Sequence, residues 1–238
     1  MLQERQRDLF SAERSDFSAP ENRDFFLTEG YEYFLRNYEG VDLRTLPMIH
    51  FLRDLLTETS LDLAGKSILE VGCGAANNLH HLVERLGAGR GVGTEPSPET
   101  VAVLDQAYPE FEFVESFGHR LPFESGEFDL VLIRSVLSWV HPDYLWQTIG
   151  EVLRVSSRYL IISDFGPVEP YSVAYRDHPY FRTCKMSYVP FLEASGFVEA
   201  QKVIVDDADS DWTRIETVLF EKKAVDAAFP LLTDHDFQ

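Results

Sequence analysis

The chain has 238 residues, of which 45% are hydrophobic and 13% aromatic, enough for a sizeable buried core and for one domain with appended segments. Lys and Arg total 21 against 40 Asp and Glu, a formal charge of −19. A surface so acidic repels phosphate backbones and anionic headgroups, so the expected partner is a small molecule, with no nucleic acid and no membrane. Cys73 and Cys184 form neither a disulfide framework nor a zinc pattern, and Glu4, Arg5, Arg7 and Asp8 stand where a secretory leader would be apolar. A cytoplasmic setting is expected.

In chain order, residues 1–24 are polar and read as a flexible N-terminal arm. Residues 25–223 read as a single domain, and 224–238 as a C-terminal tail. Within the domain, Phe34, Leu35 and Tyr38, then Met48, Ile49, Leu52, Leu55 and Leu56, recur at three- and four-residue steps, so 25–62 is expected to form a helical lid. Short apolar runs follow: Ser67 to Val71, Gly91 to Thr94, Phe111 to Val114, Asp129 to Arg134 and Tyr159 to Ser163. Between them Asn77 to Leu86, Pro98 to Tyr108 and Tyr144 to Leu153 have helical spacing. Strands that are apolar throughout are buried on both faces, as in a parallel sheet covered by helices. Phe191 to Ala194 reads as a helix end capped at Gly196. Phe197 to Val205 and Trp212 to Phe220 then read as strands whose short acidic connection permits only an antiparallel hairpin. The expected fold is α/β and doubly wound: a mostly parallel seven-stranded sheet ending in an antiparallel hairpin, with helices on both faces.

The most informative stretch runs Glu70-Val71-Gly72-Cys73-Gly74-Ala75-Ala76-Asn77. Gly72 and Gly74 permit a tight turn and let a ligand lie against bare backbone at the carboxyl end of a strand. A dinucleotide fingerprint would place a third glycine where Asn77 stands, and the pair alone also fits a plain strand-to-helix turn. Glu95 ends the next strand, where a carboxylate can accept both hydroxyls of a ribose, and Pro96 follows it.

These residues, with Gly93-Thr94-Glu95-Pro96-Ser97-Pro98 and His119-Arg120-Leu121-Pro122-Phe123 ahead of Phe128-Asp129-Leu130-Val131, resemble the ordered motifs of class I, Rossmann-like S-adenosylmethionine-dependent methyltransferases. The resemblance runs from about Ser67 to Asp164. It implies S-adenosyl-L-methionine as cofactor, S-adenosyl-L-homocysteine as product, and methyl transfer to an O, N or C atom of a small molecule. By the same resemblance Gly72 and Gly74, in a loop that includes Cys73, pack on the methionine and ribose portions. Glu70 supports the amino group, Glu95 and the adjoining Pro96 hold the ribose, and Arg134 and Ser135 offer main-chain carbonyls to the methionine end. Gly118 and His119 fall at the adenine position, without the acidic residue often found there.

Methyl transfer to a hydroxyl or protonated amine is helped by a base. His141, in Trp139-Val140-His141-Pro142, is one candidate, weighed evenly against a plain helix-start residue; His178 is another. The stretch 165–190 is an aromatic insert carrying cationic residues, long enough to suggest a function. Tyr175, Arg176 and Arg182 from it, with Tyr31, Tyr38 and Trp139, are the candidate acceptor-site residues. No metal site is expected: Asp207, Asp209 and Asp211 lack the glycine and glutamate of a calcium loop, and His80 and His81 are adjacent on a helix. Two other readings stay open at this stage, an NAD-dependent Rossmann oxidoreductase and a non-catalytic methyltransferase-like binding domain.

Overall fold

The computed structural model describes residues 25–175, 182–206 and 214–223. The expected arm 1–24 and tail 224–238, together with Arg176, His178, Asp207, Asp209, Asp211 and Trp212, lie outside the described residues.

Two helices come first, α1 (Phe25–Tyr38) and α2 (His50–Thr57). The alternating part follows as β1 (Ser67–Val71), α3 (Asn77–Leu86), β2 (Arg90–Glu95), α4 (Pro98–Ala107), β3 (Glu112–Glu115), β4 (Phe128–Arg134), α5 (Pro142–Val155) and β5 (Ser156–Phe165). A small ribbon, β6 (Tyr171–Ala174) with β7 (Arg182–Lys185), then leads through α6 (Val189–Glu193) to β8 (Phe197–Val205) and β9 (Ile215–Lys222).

The seven-stranded sheet has the order β3-β2-β1-β4-β5-β9-β8, so the expected fold class is the one observed. The first five strands pair in parallel, while β9 runs antiparallel to both β5 and β8. The strand order reverses between β1 and β4, because β2 and β3 are laid down on one side of β1 before the chain returns to place β4 on the other. In open α/β sheets a crevice opens at such a reversal, outside the carboxyl ends of the strands. Here those ends are Glu70-Val71 and Arg134.

The strands are apolar throughout because both faces are covered. Ile68, Leu130, Leu132 and Ile161 pack with Leu52 and Leu55 of α2, Leu79 and Leu82 of α3 and Leu104 of α4. On the other face Leu69, Val131, Ile133, Leu160 and Ile162 meet Leu145, Ile149 and Val152 of α5 and Leu192 of α6. Complete burial of such side chains contributes about 1.5–3 kcal/mol each.

Polar ties dock the segment between α1 and α2 onto α3. Asn77 Nδ2 donates to the Pro47 carbonyl at 2.7 Å, Ile49 N–H donates to Asn78 Oδ1 at 3.2 Å, and His81 Nε2 lies 2.8 Å from the Leu46 carbonyl. Asn77, standing where a dinucleotide motif would have glycine, thus has a structural partner.

Three boundaries depart from the sequence reading. Within the stretch 165–190, read from sequence as an aromatic insert, the described residues include a β-ribbon and the start of α6; four-residue strands are too short to show a period of two. Strand β9 begins at Ile215 and ends at Lys222, and a register shift between Glu199 and Gln201 accommodates its pairing with β8. The helix before β8 covers Val189–Glu193, with Pro190 in its first turn, where the missing N–H costs nothing.

Glycines test this packing in both directions. A Cβ on Gly93 would lie 2.7 Å from Cys73 Sγ and 2.8 Å from Phe113 Cδ1, whereas one on Gly150, exposed within α5, meets no atom within 4 Å. Gly93→Ala is expected to lower the urea midpoint by the equivalent of about 1–3 kcal/mol. Gly150→Ala should raise it by about 0.5–1 kcal/mol, the difference in helix propensity.

Candidate functional site

The turn after β1 is built from left-handed backbone. Gly72 has φ +68° and Gly74 φ +55°, and Ala76, at the start of α3, holds φ +56°. Across the crevice Ser135, just past β4, holds φ +51°. Non-glycine residues in this region carry strain of order 1–3 kcal/mol, and such strain gathers at ligand sites. At Gly72 a Cβ would also fall 2.5 Å from Val136 Cγ2, so only glycine leaves that surface of the crevice bare.

Two carboxylates flank the turn. Glu70 is 2% exposed; its Oε2 accepts from the N–H of Leu79 at 2.9 Å and its Oε1 from Asn78 Nδ2 at 3.4 Å. It therefore occupies the positive N-terminal end of α3. Glu95, 8% exposed, accepts from the Gly74 N–H at 3.3 Å. Ser97 caps α4 two residues later by accepting from the Thr100 N–H, with Pro98 in the first helical turn, and this pins the backbone that carries Glu95. Burial raises both carboxyls from 4.5 to about 7, the peptide N–H contacts only partly opposing it.

These groups line one cavity of about 400 Å³. The sequence-derived cofactor set, Glu70, Gly72, Cys73, Gly74, Glu95, Pro96, Gly118, His119, Arg134 and Ser135, is brought together on its wall. Cys73 is a buried filler, its thiol pushed well up by burial and by the neighbouring Glu95 and Glu70. His119 stacks on Tyr144 with ring centroids 4.3 Å apart and planes at 13°, and burial lowers its pKa. A Cβ on Gly118 would meet Thr148 Cγ2 at 2.9 Å, so the path to this stacked pair is shaped by the absence of a side chain.

Aromatic residues also line the cavity, among them Tyr33, Phe34, Tyr38, Trp139, Phe165 and Tyr175. Trp139 and Tyr175 meet edge to face at 4.9 Å. Tyr175 donates to Glu29 Oε1 at 2.7 Å, and Arg36 donates to both Glu29 and the Tyr175 hydroxyl, so α1 is joined to the residue following β6 across the cavity mouth. Off the cavity wall, the Lys185 ammonium sits 3.2 Å from the Phe165 ring centroid and 5.6 Å from that of Trp139. Burial lowers that lysine to about 8, against the pull of the buried Asp164.

His141 also lines the cavity, as the cap of α5: its Nδ1 accepts from the Asp143 N–H at 3.2 Å, while the Asp143 carboxylate lies 3.7 Å away. The two contacts belong to different proton placements, since Nδ1 accepts the first only when unprotonated and makes the second by donating.

Among the described residues, two candidates are not on the wall. Tyr31 packs against the core beneath α1, and Arg182 turns back along its ribbon to Ser172, Nε to Oγ at 3.0 Å. Glu29, Gly30 and Tyr144 line the cavity without any sequence signal, because their place depends on contacts between remote segments.

The donor set fits S-adenosylmethionine. A bare glycine turn leaves room for the chain of a nucleoside thioether, and two buried carboxylates await a cation and a ribose. The volume also lies in the range of small-ligand sites.

The strand order, with β9 running antiparallel between β5 and β8, is that of the class I, Rossmann-like methyltransferase fold. Consistent with that class, residues 68–158 match the family model described as a methyltransferase domain. Demethylmenaquinone methyltransferase of Lactococcus lactis subsp. lactis is 32% identical over 140 residues, covering 55% of this chain and 53% of that protein. Trans-aconitate 2-methyltransferase of an Azoarcus species is 34% identical over 102 residues, 43% of this chain and 39% of that one. The chain thus matches about half or less of the length of these curated relatives. Among solved structures, the 1,6-didemethyltoxoflavin-N1-methyltransferase of Burkholderia thailandensis, with 1,6-didemethyltoxoflavin and S-adenosylhomocysteine bound, superposes with a TM-score of 0.61. Its identity is 18%, and the match covers 90% of this chain and 92% of that one.

The carboxyls set a pH dependence with a definite sign. A carboxyl that binds its proton more tightly folded than unfolded contributes stability fully below the unfolded value and loses it as pH rises through the folded value. For Glu70 and Glu95 that window runs from 4.5 to about 7. Without ligand, Glu95→Gln should match the parent near pH 4.5 and become progressively more stable than it by about pH 8, read from urea midpoints. A difference independent of pH would contradict the assignment.

Proposed function

We propose that the protein transfers a methyl group from S-adenosylmethionine to an O, N or C atom of a small, planar, electron-rich acceptor. The observation that carries this reading is the pair of buried carboxylates, Glu70 and Glu95, on either side of a turn that tolerates no side chain at Gly72. Glu70 is suited to an ammonium group and Glu95 to ribose hydroxyls, and Phe117, Gly118 and His119 lead to the adenine position. An NAD-dependent oxidoreductase would need a diphosphate at the start of α3. The Glu70 carboxyl already takes the Leu79 N–H at that helix end, and Asn77 is committed to Pro47.

When bound, S-adenosylmethionine supplies an electrophilic methyl whose C–S electron pair stays with sulfur, leaving S-adenosylhomocysteine. The chain's own work is to position the acceptor atom in line and to exclude water, and orientation alone can lower such a barrier by several kcal/mol. The aromatic lining supports a flat acceptor. Lys185 on the Phe165 and Trp139 rings draws their electron density toward itself, which disfavours a cationic acceptor and favours an electron-rich one. The relatives' names point to small-molecule acceptors, among them demethylmenaquinone and trans-aconitate. His141 is the proposed base. In the tautomer that donates from Nδ1 to Asp143, its Nε2 lone pair accepts the acceptor's proton, at the cost of the cap to the Asp143 N–H. Residues 25–62 act as the proposed lid, and 165–190 as the segment that completes the acceptor side.

Calorimetry separates the rival classes. Tight binding of S-adenosylhomocysteine and none of NAD is expected, and the reverse would defeat the proposal. Glu95→Gln should weaken S-adenosylhomocysteine by about tenfold or more. With an acceptor found by screening, His141→Ala should lower kcat by about 10²–10⁴ while S-adenosylhomocysteine affinity is kept; unchanged turnover would remove His141 as the base.

A further inference from the structure

Lys185 reaches the cavity only through other side chains. It belongs to β7 of the small ribbon, yet it is 7% exposed, and among the described residues its ammonium makes no ion pair. It rests instead on two rings, 3.2 Å from the Phe165 centroid and 5.6 Å from that of Trp139, and both rings line the cavity while Lys185 stands behind them. A second buried charge fixes the backbone under those rings. Asp164, 3% exposed, accepts from the Phe165 N–H at 2.7 Å and from the Ser138 N–H, one residue before Trp139, at 3.2 Å. The carboxylate thus ties two main-chain segments together, and the ammonium bridges the two side chains they carry.

The other titratable groups around Lys185 come from each neighbouring element. Cys184 adjoins it and Tyr188 follows in the same segment, Tyr171 stands opposite it in β6, and Glu216 of β9, in register with Asp164, is held by Arg214 and Ser187. Burial raises the Cys184 thiol and the Tyr188 phenol, so neither charges near neutrality, and it lowers Lys185 to about 8. A cation over a ring face is attracted by the ring quadrupole, more strongly where water is excluded, and a neutral amine is not. We propose that Lys185 is a positioning residue of the acceptor side: while charged it clamps Phe165 and Trp139 into one face of the cavity, and that face loosens when the charge is lost, without change to the cofactor wall. The proposal rests on the methyltransferase reading above and gives the ribbon a part in it through a residue other than the Arg176 and Arg182 expected from sequence.

Trp139 reports on this face by its fluorescence in a background carrying Trp146→Phe and Trp212→Phe. Quenching by acrylamide is compared at about pH 7 and about pH 9, on either side of the Lys185 value, in that background and with Lys185→Met or Lys185→Arg added. In the background protein the quenching constant should rise about two- to fivefold between the two pH values, the population change that loss of one such contact allows. Lys185→Met should give the higher constant at both pH values, and Lys185→Arg the lower one at both, because a guanidinium keeps its charge. The calorimetric Kd for S-adenosylhomocysteine, at one pH, should agree within about twofold among the three proteins. Equal quenching of the background protein at both pH values would overturn the proposal without any change at residue 185. So would Lys185→Met matching Lys185→Arg, which would leave Lys185 as packing whose charge is idle. Absence of S-adenosylhomocysteine binding in all three would defeat the cofactor reading instead, whatever the quenching shows of the clamp.

Discussion

The desolvation of two carboxylates governs the rest of this site. Placing Glu70 and Glu95 at the closed ends of adjacent strands costs energy that their peptide N–H contacts only partly offset, as their proton affinities show. Such a cost is sustained because the surrounding sheet is rigid and buried on both faces. On the proposed reading, a bound cation and a pair of ribose hydroxyls offset it. The left-handed turn, the cap at Ser97 and the helix end at Leu79 all hold those two groups at fixed depth.

What the sequence showed plainly was whatever depends on local pattern. Uniformly apolar strands announced a sheet covered on both sides, and the spacing of Gly72, Gly74 and Glu95 announced the turn and the second-strand carboxylate. These features are set by residues within one βαβ unit, where period and turn chemistry act directly. Even Asn77, which looked like a defect in a motif, has its reason in a single bond to Pro47.

The rest was hidden because it comes from contacts distant in sequence. Tyr175 and Glu29 are 146 positions apart and still share a hydrogen bond at the cavity mouth, and no periodicity reports that. The β6–β7 ribbon has strands too short to leave a pattern, so Arg182 looked like a candidate ligand when it is tied to Ser172. Tyr31 shares one helix face with Phe34 and Tyr38, at i, i+3 and i+7, and all three pack on the same core cluster, but of the three only Phe34 and Tyr38 also reach the cavity wall. The aromatic content was legible; which rings face the ligand was not.

The Glu29–Arg36–Tyr175 junction has a bearing on how this scaffold diversifies. It fastens the helical prelude to a ribbon grafted late in the chain, and neither piece belongs to the βαβ frame that carries Glu70 and Glu95. On the proposed reading, acceptor preference rests on two segments that must change in step, since a new ribbon without a matching α1 takes the Tyr175 hydroxyl from the partly buried Glu29 carboxylate. Such a change would also be felt deeper in the cavity, because Gly30 of α1 lies against Glu95 and Ser97, where an added Cβ would meet each at 3.5 Å.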